Sequence, residues 1–182
     1  MNDEEAVERC QGGDREAFRH LVERYKDVLY GTAYLMAGNA SLAEEYVQDA
    51  FLLAWRGMDT FHVGRPMKPW LVRILVNTIT SQRRRRSLPT TPLEDADNQS
   101  EPDDALQMAE RVEDQHRMRQ ALAALSDEHR QVVMLRYFAD LSLSEVAEAL
   151  GCREGTVKSR LHRALERLKV EIGDSPGGGG AQ

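Results

Sequence analysis

Apolar residues recur at steps of three and four along nearly every patterned segment of this chain, and this spacing most constrains its fold. One such run begins after Asp14 and passes through Phe18, Leu21 and Leu29. Because residues three and four apart lie on one face of an α-helix, each run predicts an amphipathic helix. We find no convincing segment with the two-residue alternation of a half-buried strand. The pattern therefore predicts an all-α protein.

Capping residues and glycines divide the first half of the chain into three predicted helices. The first begins after Asp14 and ends at Gly38, a residue suited to a left-handed cap. Ser41 and Glu44 have the spacing of a capping box at the start of the second helix. Pro69 suits the first turn of the third helix, which follows a turn-rich loop and runs into four consecutive arginines.

The second half resumes helical periodicity near Leu106, after a segment with almost nothing to bury. Residues 87–104 contain three prolines and many acidic residues, which predicts a flexible linker. We expect an N-terminal domain at residues 1–86, the acidic linker at 87–104, a C-terminal domain at 105–174 and a disordered glycine-rich tail at 175–182. The predicted architecture is two small helical domains joined by a flexible acidic linker.

Composition limits the classes of protein that this chain can belong to. Hydrophobic residues make up 41% of the 182 residues and charged residues 30%, enough for modest cores. No run is long enough to span a membrane, so we expect no membrane insertion and a cytoplasmic location. The two cysteines lie far apart without a CxxC spacing, which disfavours a disulfide scaffold or a zinc site.

The charge of the chain is unevenly distributed. A net charge of −6 argues against a nucleic-acid partner, because phosphate binding favours a basic surface. The basic residues, however, form two blocks, while the linker is acidic. The first block is Arg83 to Arg86, and the second comprises Lys158, Arg160, Arg163, Arg167 and Lys169. Such segregation is more informative than the total charge.

The last two predicted helices have the layout of a helix-turn-helix. Ser142 and Glu145 form a capping box, and Leu141 and Val146 are spaced as a hydrophobic staple beside it. This short helix ends at Gly151, and the next one spans about residues 153–172. Such a layout is typical of DNA-binding domains.

Steps of about 100° per residue divide the last helix into two faces. The apolar face carries Val157, Leu161, Ala164, Leu165 and Leu168. The polar face carries Gly155, Ser159, His162, Arg163 and Glu166, with Lys158 at its border. A recognition helix needs this division, because one face holds the fold while the other enters the major groove. An ordinary helical hairpin with a solvated basic face is the alternative. Arg160 lies off the groove face, where we expect a structural or phosphate-binding role.

The segment AEALGCREGTVKSRLHRA, residues 147–164, closely resembles the C-terminal domain of extracytoplasmic-function sigma factors. Residues 125–150 are similar to the lead-in of the same domain. The resemblance implies that this helix reads the minus-thirty-five promoter element through Gly155, Thr156, Lys158, Ser159, His162 and Arg163. Other helix-turn-helix regulators share parts of this pattern, so the N-terminal half must separate the two classes.

The segment AEEYVQDAF, residues 43–51, resembles the core-binding helix of these sigma factors. On helical spacing, one edge of this helix carries Glu45, Gln48, Asp49 and Leu52, which we name the polymerase stripe. The resemblance implies that this stripe binds the clamp coiled coil of RNA polymerase β′. Glu45 stands where aspartate is more usual in the family. A solvated acidic face is the alternative interpretation.

The segment PWLVRILVNTITSQRRRR, residues 69–86, resembles the family's reader of the minus-ten element. Asn77 matches the family's asparagine, whereas Ser81 stands where Asn or Asp is more usual. Residues 61–68, including Phe61, His62 and Lys68, correspond to the loop that pockets a flipped base. The implied phosphate-binding residues are Arg83, Arg84, Arg85 and Arg86. We assign Trp70 to the core, because large aromatics within helices usually pack there.

Together the motifs predict an extracytoplasmic-function sigma factor that directs promoter-specific initiation and assists promoter melting. The implied partners are core RNA polymerase, through the β′ clamp coiled coil and the β flap, promoter DNA, and an anti-sigma factor. The linker either mimics a phosphate chain in a polymerase channel or is a simple spacer. No catalytic, metal or cofactor motif is present, so we expect no enzymatic activity. The alternatives are a conventional helix-turn-helix regulator and an enzyme with a DNA-binding tail.

Overall fold

The computed structural model describes residues 1–86, 118 and 120–173, and every regular element within them is helical. The α-helices are α1 (Asp3–Gln11), α2 (Arg15–Ala37), α3 (Ala40–Gly57), α4 (Met67–Arg86), α5 (Asp127–Val133), α6 (Leu143–Leu150) and α7 (Glu154–Gly173). A 3₁₀ turn at Met58–Thr60 follows α3, and a π-helical segment at Met134–Phe138 continues α5. The all-α prediction is confirmed. The predictions for the linker, for the start of the second domain and for the tail lie outside the described residues.

The helix ends of the N-terminal half follow local hydrogen-bonding residues. The Asp14 side chain accepts hydrogen bonds from the backbone N–H groups of Glu16 and Ala17, at 2.9 and 3.2 Å, and Gly38 ends α2 with φ of 71°. The capping box predicted at Ser41 is wrong. The Asn39 side chain caps α3 instead, accepting from the Leu42 N–H at 2.9 Å. Because Asn39 already supplies the cap, Ser41 lies inside the helix.

Helix α1 precedes every helix that the sequence pattern predicted. Its nine residues are too few to show a clear period, although Ala6, Val7 and Cys10 are buried against the rest of the domain. At its C-terminal end, the Gln11 side-chain amide donates hydrogen bonds to the carbonyl oxygens of Met58, at 3.1 Å, and Phe61, at 2.8 Å. Helix α1 therefore fixes the start of the loop that leads into α4.

The core of the N-terminal half lies between α2, α3 and α4, which pack against one another. Its largest fully buried side chains include Leu21, Leu29, Tyr46, Leu71, Leu75 and Ile79. Pro69 lies in the first turn of α4, as predicted. No helix in the described part of the chain combines the length and apolarity that a membrane span requires.

The helix-turn-helix of the C-terminal half forms as predicted. Ser126 caps α5, and the capping box of α6 is complete, since the Ser142 N–H donates to the Glu145 carboxylate at 2.7 Å. Leu141 and Val146, the predicted staple, are fully buried. Gly151 adopts φ of 62°, a left-handed conformation that lets the chain turn tightly into α7.

The two halves of the chain also contact each other. Helix α4 packs against α6, and α2 packs against the π-helical segment. No feature of the sequence pattern predicted either contact.

Candidate functional site

Helix α7 presents a polar face to solvent and buries an apolar one. Val157, Ala164 and Leu168 are buried, as the sequence predicted. The exposed residues of this recognition face are Gly155, Lys158, Ser159, His162 and Arg163. A Cβ at Gly155 would meet nothing within 4 Å, so a nucleic-acid backbone can approach closely at the start of the helix.

Three side chains of α7 have hydrogen-bond or ion-pair partners within the C-terminal half. The Ser159 hydroxyl donates to the carbonyl of the half-buried Thr156 at 3.0 Å, and the Lys158 ammonium lies 2.8 Å from the Glu154 carboxylate. Arg160 pairs with Glu128 of α5 at 2.7 Å and so ties the last helix to the domain. Of the two roles expected for Arg160, structural or phosphate-binding, this contact with Glu128 fits the structural one.

The polymerase stripe is exposed except at one residue. Glu45, Gln48 and Leu52 are exposed, and Leu52 retains 56% of its surface. Asp49 is half-buried and accepts a hydrogen bond of 2.6 Å from the Gln82 side-chain amide of α4. The prediction of a stripe wholly free for a partner is therefore corrected at Asp49. Helices α3 and α4 pack side by side, and this brings Gln82 within reach.

An apolar groove of about 520 Å³ lies beside the polymerase stripe, between α2 and α3. It is lined by Phe18, Val22, Phe51 and Trp55, with Gln48 and Leu52 at its edge. The Phe18 and Trp55 ring centroids are 5.0 Å apart. The apolar spacing that placed Phe18 on one face of a helix did not by itself predict this groove. The signal for it is an apolar stripe on α2 wider than the core needs.

The loop before α4 encloses a small cavity of about 210 Å³. Phe61 is buried at its base, with its ring centroid 4.8 Å from that of Trp70. Trp70 is half-buried and lies at the cavity wall, at the edge of the core to which we had assigned it. His62 is exposed. Arg65 and Arg73 also line the cavity, and the sequence pattern did not identify either of them.

One side of α4 carries Asn77, Ser81, Arg84 and Arg85, which we name the minus-ten face. All four are exposed and line a second cavity of about 740 Å³. Two more of the predicted cations are engaged with carboxylates of the C-terminal half. Arg83 lies 3.0 Å from Asp127, and Lys68 lies 3.8 Å from Asp140. The side chain of Arg86 falls outside the described residues.

The described residues contain no cluster of three or more His, Cys, Asp or Glu residues that could hold a metal ion. Both cysteines are unpaired. Cys10 is buried, and this burial raises the pKa of its thiol to about 11. Cys152 is half-buried at the wall of the 740 Å³ cavity.

Two family models match the chain in the order of its two halves. The model for sigma-70 region 2 matches residues 21–88, and the model for sigma-70 region 4 matches residues 121–170. The first of these ranges contains the polymerase stripe and the minus-ten face, and the second contains the recognition face.

Curated relatives resemble the chain over most of its length. It is 33% identical over 182 residues to the ECF RNA polymerase sigma factor SigW of Bacillus subtilis, covering 92% of this chain and 95% of that protein. It is 34% identical over 159 residues to the ECF RNA polymerase sigma factor SigL of Mycobacterium tuberculosis, covering 85% and 88%.

Solved structures share the fold. CnrH in complex with the cytosolic domain of CnrY matches with a TM-score of 0.72 and 26% identity, over 95% of this chain and 98% of that one. The sigma factor RpoE of Bartonella quintana, in complex with the anti-sigma factor NepR, matches with a TM-score of 0.72 and 28% identity, over 87% and 98%. The chain therefore belongs to the extracytoplasmic-function sigma factors of the sigma-70 family, which direct promoter-specific transcription initiation.

Proposed function

We propose that the three surfaces divide the work of initiation between them. The polymerase stripe and its groove bind the β′ clamp coiled coil, the minus-ten face and the loop before α4 read the melted minus-ten element, and the recognition face reads the minus-thirty-five duplex. The corresponding domains are residues 1–86 and 105–174, joined by the linker at 87–104. The observation that carries the proposal is the exposed Leu52 beside an apolar groove. A regulator that acts without polymerase has no need for such an apolar surface on its N-terminal half.

The minus-thirty-five role rests on the shape and charge of α7. An α-helix fits the major groove, and its exposed side chains there contact base edges and phosphates. Arg163 and Lys158 suit guanine edges or phosphates, and Ser159 and His162 suit either. Gly155 and the half-buried Thr156 lie at the N-terminal end, where a helix favours a phosphate.

The minus-ten role rests on a small cavity with an aromatic wall and cations around it. A base removed from its stack needs a π-surface and polar groups for its edge. Trp70 supplies the ring, with Phe61 packed against it, and His62, Arg65 and Arg73 supply the polar groups. Asn77 and Ser81 contact the neighbouring bases, while Lys68 and the arginines at 83–86 hold phosphates without regard to sequence.

The polymerase-binding role rests on the groove between α2 and α3. A coiled-coil partner offers a ridge of side chains that a shallow apolar groove accommodates, with polar contacts along the rim. Leu52 and the rings of Phe18 and Trp55 supply the apolar contact. Glu45 and Gln48 supply the polar rim. Asp49 adds its carboxylate to this rim while it accepts the hydrogen bond from Gln82.

A pair of adjacent leucines provides a matched test of this surface. Leu52 lines the groove, whereas Leu53, also exposed at 47%, does not. We expect Leu52→Arg to weaken binding to core polymerase by about tenfold or more, because it places a charge in an apolar contact. Leu53→Arg is the control for the added charge and for folding. Equal binding by both variants, together with unchanged binding by Glu45→Arg, contradicts the proposed surface.

In vitro transcription with purified core polymerase on a promoter library tests the function as a whole. We expect initiation from a subset of promoters and weak promoter binding by the protein alone. A conventional helix-turn-helix regulator predicts the opposite, with tight binding and no dependence on polymerase.

The remaining roles are inferred from the family. We propose that the protein acts in the cytoplasm without catalytic activity of its own, that its C-terminal domain contacts the β flap, and that an anti-sigma factor holds it inactive. The complex of RpoE with NepR supports the last point.

A further inference from the structure

Asp49 differs from the other members of the polymerase stripe in its surroundings. It is half-buried and contacts a residue of α4, whereas Glu45, Gln48 and Leu52 are exposed. The stripe therefore contains one carboxylate whose direction a second helix can control.

One oxygen of the Asp49 carboxylate is held by α4. The Gln82 side-chain amide donates a hydrogen bond to Oδ2 of Asp49, with 2.6 Å between the nitrogen and the oxygen. A hydrogen bond to an ionised acceptor is stronger than one between neutral groups. The other oxygen, Oδ1, has no hydrogen-bond partner among the residues that the structure describes. The carboxylate is thus fixed through one oxygen and keeps the other available to a second donor.

Both residues of this hydrogen bond lie next to buried positions of their own helices. On α4, Thr78 and Ile79 precede Gln82 by about one turn and are buried. On α3, Ala50 follows Asp49 directly and is fully buried. Because a close-packed core resists displacement, it holds the two backbones at a constant separation. Gln82 therefore acts on Asp49 from a rigid position.

A fixed carboxylate is a better acceptor for a partner protein than a mobile one. A free side chain on a helix surface samples several rotamers, and binding restricts it to one of them. The entropy lost in that restriction lowers the affinity. A hydrogen bond that selects the rotamer in the free protein removes part of this cost. Gln82 can therefore strengthen binding at Asp49 without touching the partner.

We propose that Gln82 is a positioning residue of the polymerase surface, which holds Asp49 so that its Oδ1 accepts a hydrogen bond from a cationic side chain of core polymerase. The inference rests on the proposed polymerase-binding function of the stripe. A lysine or arginine is the partner that fits, because the stripe presents the carboxylates of both Glu45 and Asp49.

A double-mutant cycle separates this positioning role from a general structural one. Gln82→Met keeps an unbranched side chain that favours helix but removes the donor, and Asp49→Ala removes the acceptor. We expect Gln82→Met to weaken binding to core polymerase about fivefold and Asp49→Ala about tenfold. The double variant should bind no more weakly than Asp49→Ala alone, because Gln82 has nothing left to position.

Two further variants serve as rescue and control. Gln82→His, assayed at pH 8, restores a neutral N–H donor of similar reach, so binding should return to within about twofold of the original protein. Thr80→Val removes a hydroxyl from another half-buried position of α4 and should leave binding unchanged. Thermal unfolding of each variant shows whether it still folds.

Competition for purified core polymerase measures the relative affinities. Each unlabelled full-length variant displaces the dye-labelled original protein, and fluorescence anisotropy follows the displacement. DNA is left out, because Gln82 lies between Ser81 of the minus-ten face and Arg83, where a change also alters promoter contacts.

The inference is supported by a loss in Gln82→Met that disappears in the Asp49→Ala background and is restored by Gln82→His. Unchanged binding by Gln82→Met, an equal loss in both backgrounds, or no recovery in Gln82→His overturns it. Leu52→Arg tests the underlying function separately. If Leu52→Arg and Asp49→Ala both leave binding unchanged, the polymerase surface itself lies elsewhere. A loss in these two variants without one in Gln82→Met rejects the positioning role alone.

Discussion

The two helices that we propose to face DNA differ in what lies in front of them. The recognition face of α7 is exposed, and Lys158 on it pairs with Glu154 of the same helix. The minus-ten face of α4 lies opposite the C-terminal half, and Arg73 and Arg83 are paired across that interface. The first of these faces is open to solvent, whereas the second lies against the other half of the chain.

This difference corresponds to the order of events in initiation. Duplex DNA can be recognised before melting, but unstacked bases exist only after the promoter has opened.

Reversing a charge on the open face should have the largest effect. We expect Arg163→Glu to weaken binding of the free protein to a minus-thirty-five duplex by about tenfold or more, through a lost contact and added repulsion. Fluorescence anisotropy at fixed salt measures it. Arg167→Glu, on the same helix but beside Glu171, controls for the change in charge. Equal losses in both variants would mean that only overall charge matters.

Asn77→Ala should have a smaller effect, visible only when polymerase is present. We expect roughly fivefold less open complex because a polar contact to an unpaired base is lost. Potassium permanganate footprinting measures open complex, and minus-thirty-five duplex binding is the internal control. Unchanged open complex in this variant would contradict a base contact by Asn77.

Gln11→Ala should loosen the loop before α4. Two hydrogen bonds to the carbonyl groups of Met58 and Phe61 are lost, so we expect about a threefold decrease in promoter melting. Fluorescence of 2-aminopurine in the minus-ten element measures it. Glu8→Ala, an exposed change on the same helix, should leave melting unchanged. A decrease in minus-thirty-five binding by Gln11→Ala would show a general loss of folding instead.

The smallest effect concerns thiol reactivity. Cys152 lies at the cavity between the two halves, so its alkylation rate should rise about twofold to threefold if polymerase binding separates them. Cys10 is the internal reference, because burial and a pKa raised to about 11 keep its thiol protonated and slow to react between pH 7 and 9. Mass spectrometry of alkylated peptides distinguishes the two sites. An unchanged Cys152 rate on polymerase binding would contradict the opening.

The elements that the sequence pattern predicted well depend on short-range contacts. Ser142 and Glu145 cap α6, Gly38 and Gly151 adopt left-handed conformations, and Val157 and Ala164 are buried on the inner face of α7. Each feature involves residues a few positions apart or one face of one helix. The error at Ser41 has the same origin, because Asn39 offered an equally local cap two residues earlier.

The features that the sequence pattern did not predict depend on partners distant in the chain. Gln82 and Asp49 are 33 positions apart, Gln11 and Met58 are 47 apart, and Arg73 and Glu148 are 75 apart. Helix α1 also escaped prediction, because nine residues carry too little periodicity to identify a helix.

Capping and periodicity arise within a few turns of one helix, so they were sufficient to predict the helices, the helix-turn-helix and the exposed recognition face. Which of the predicted contact residues are free depends instead on how the helices pack against one another. The sequence pattern predicted exposed polar groups at Asp49, Arg83 and Lys68 alike. In the structure, each of these side chains contacts a partner on another helix or loop. The packing of the C-terminal half against the minus-ten face was not predicted for the same reason. It depends on the shape and charge of two surfaces that are distant in the chain, and no local sequence pattern encodes these.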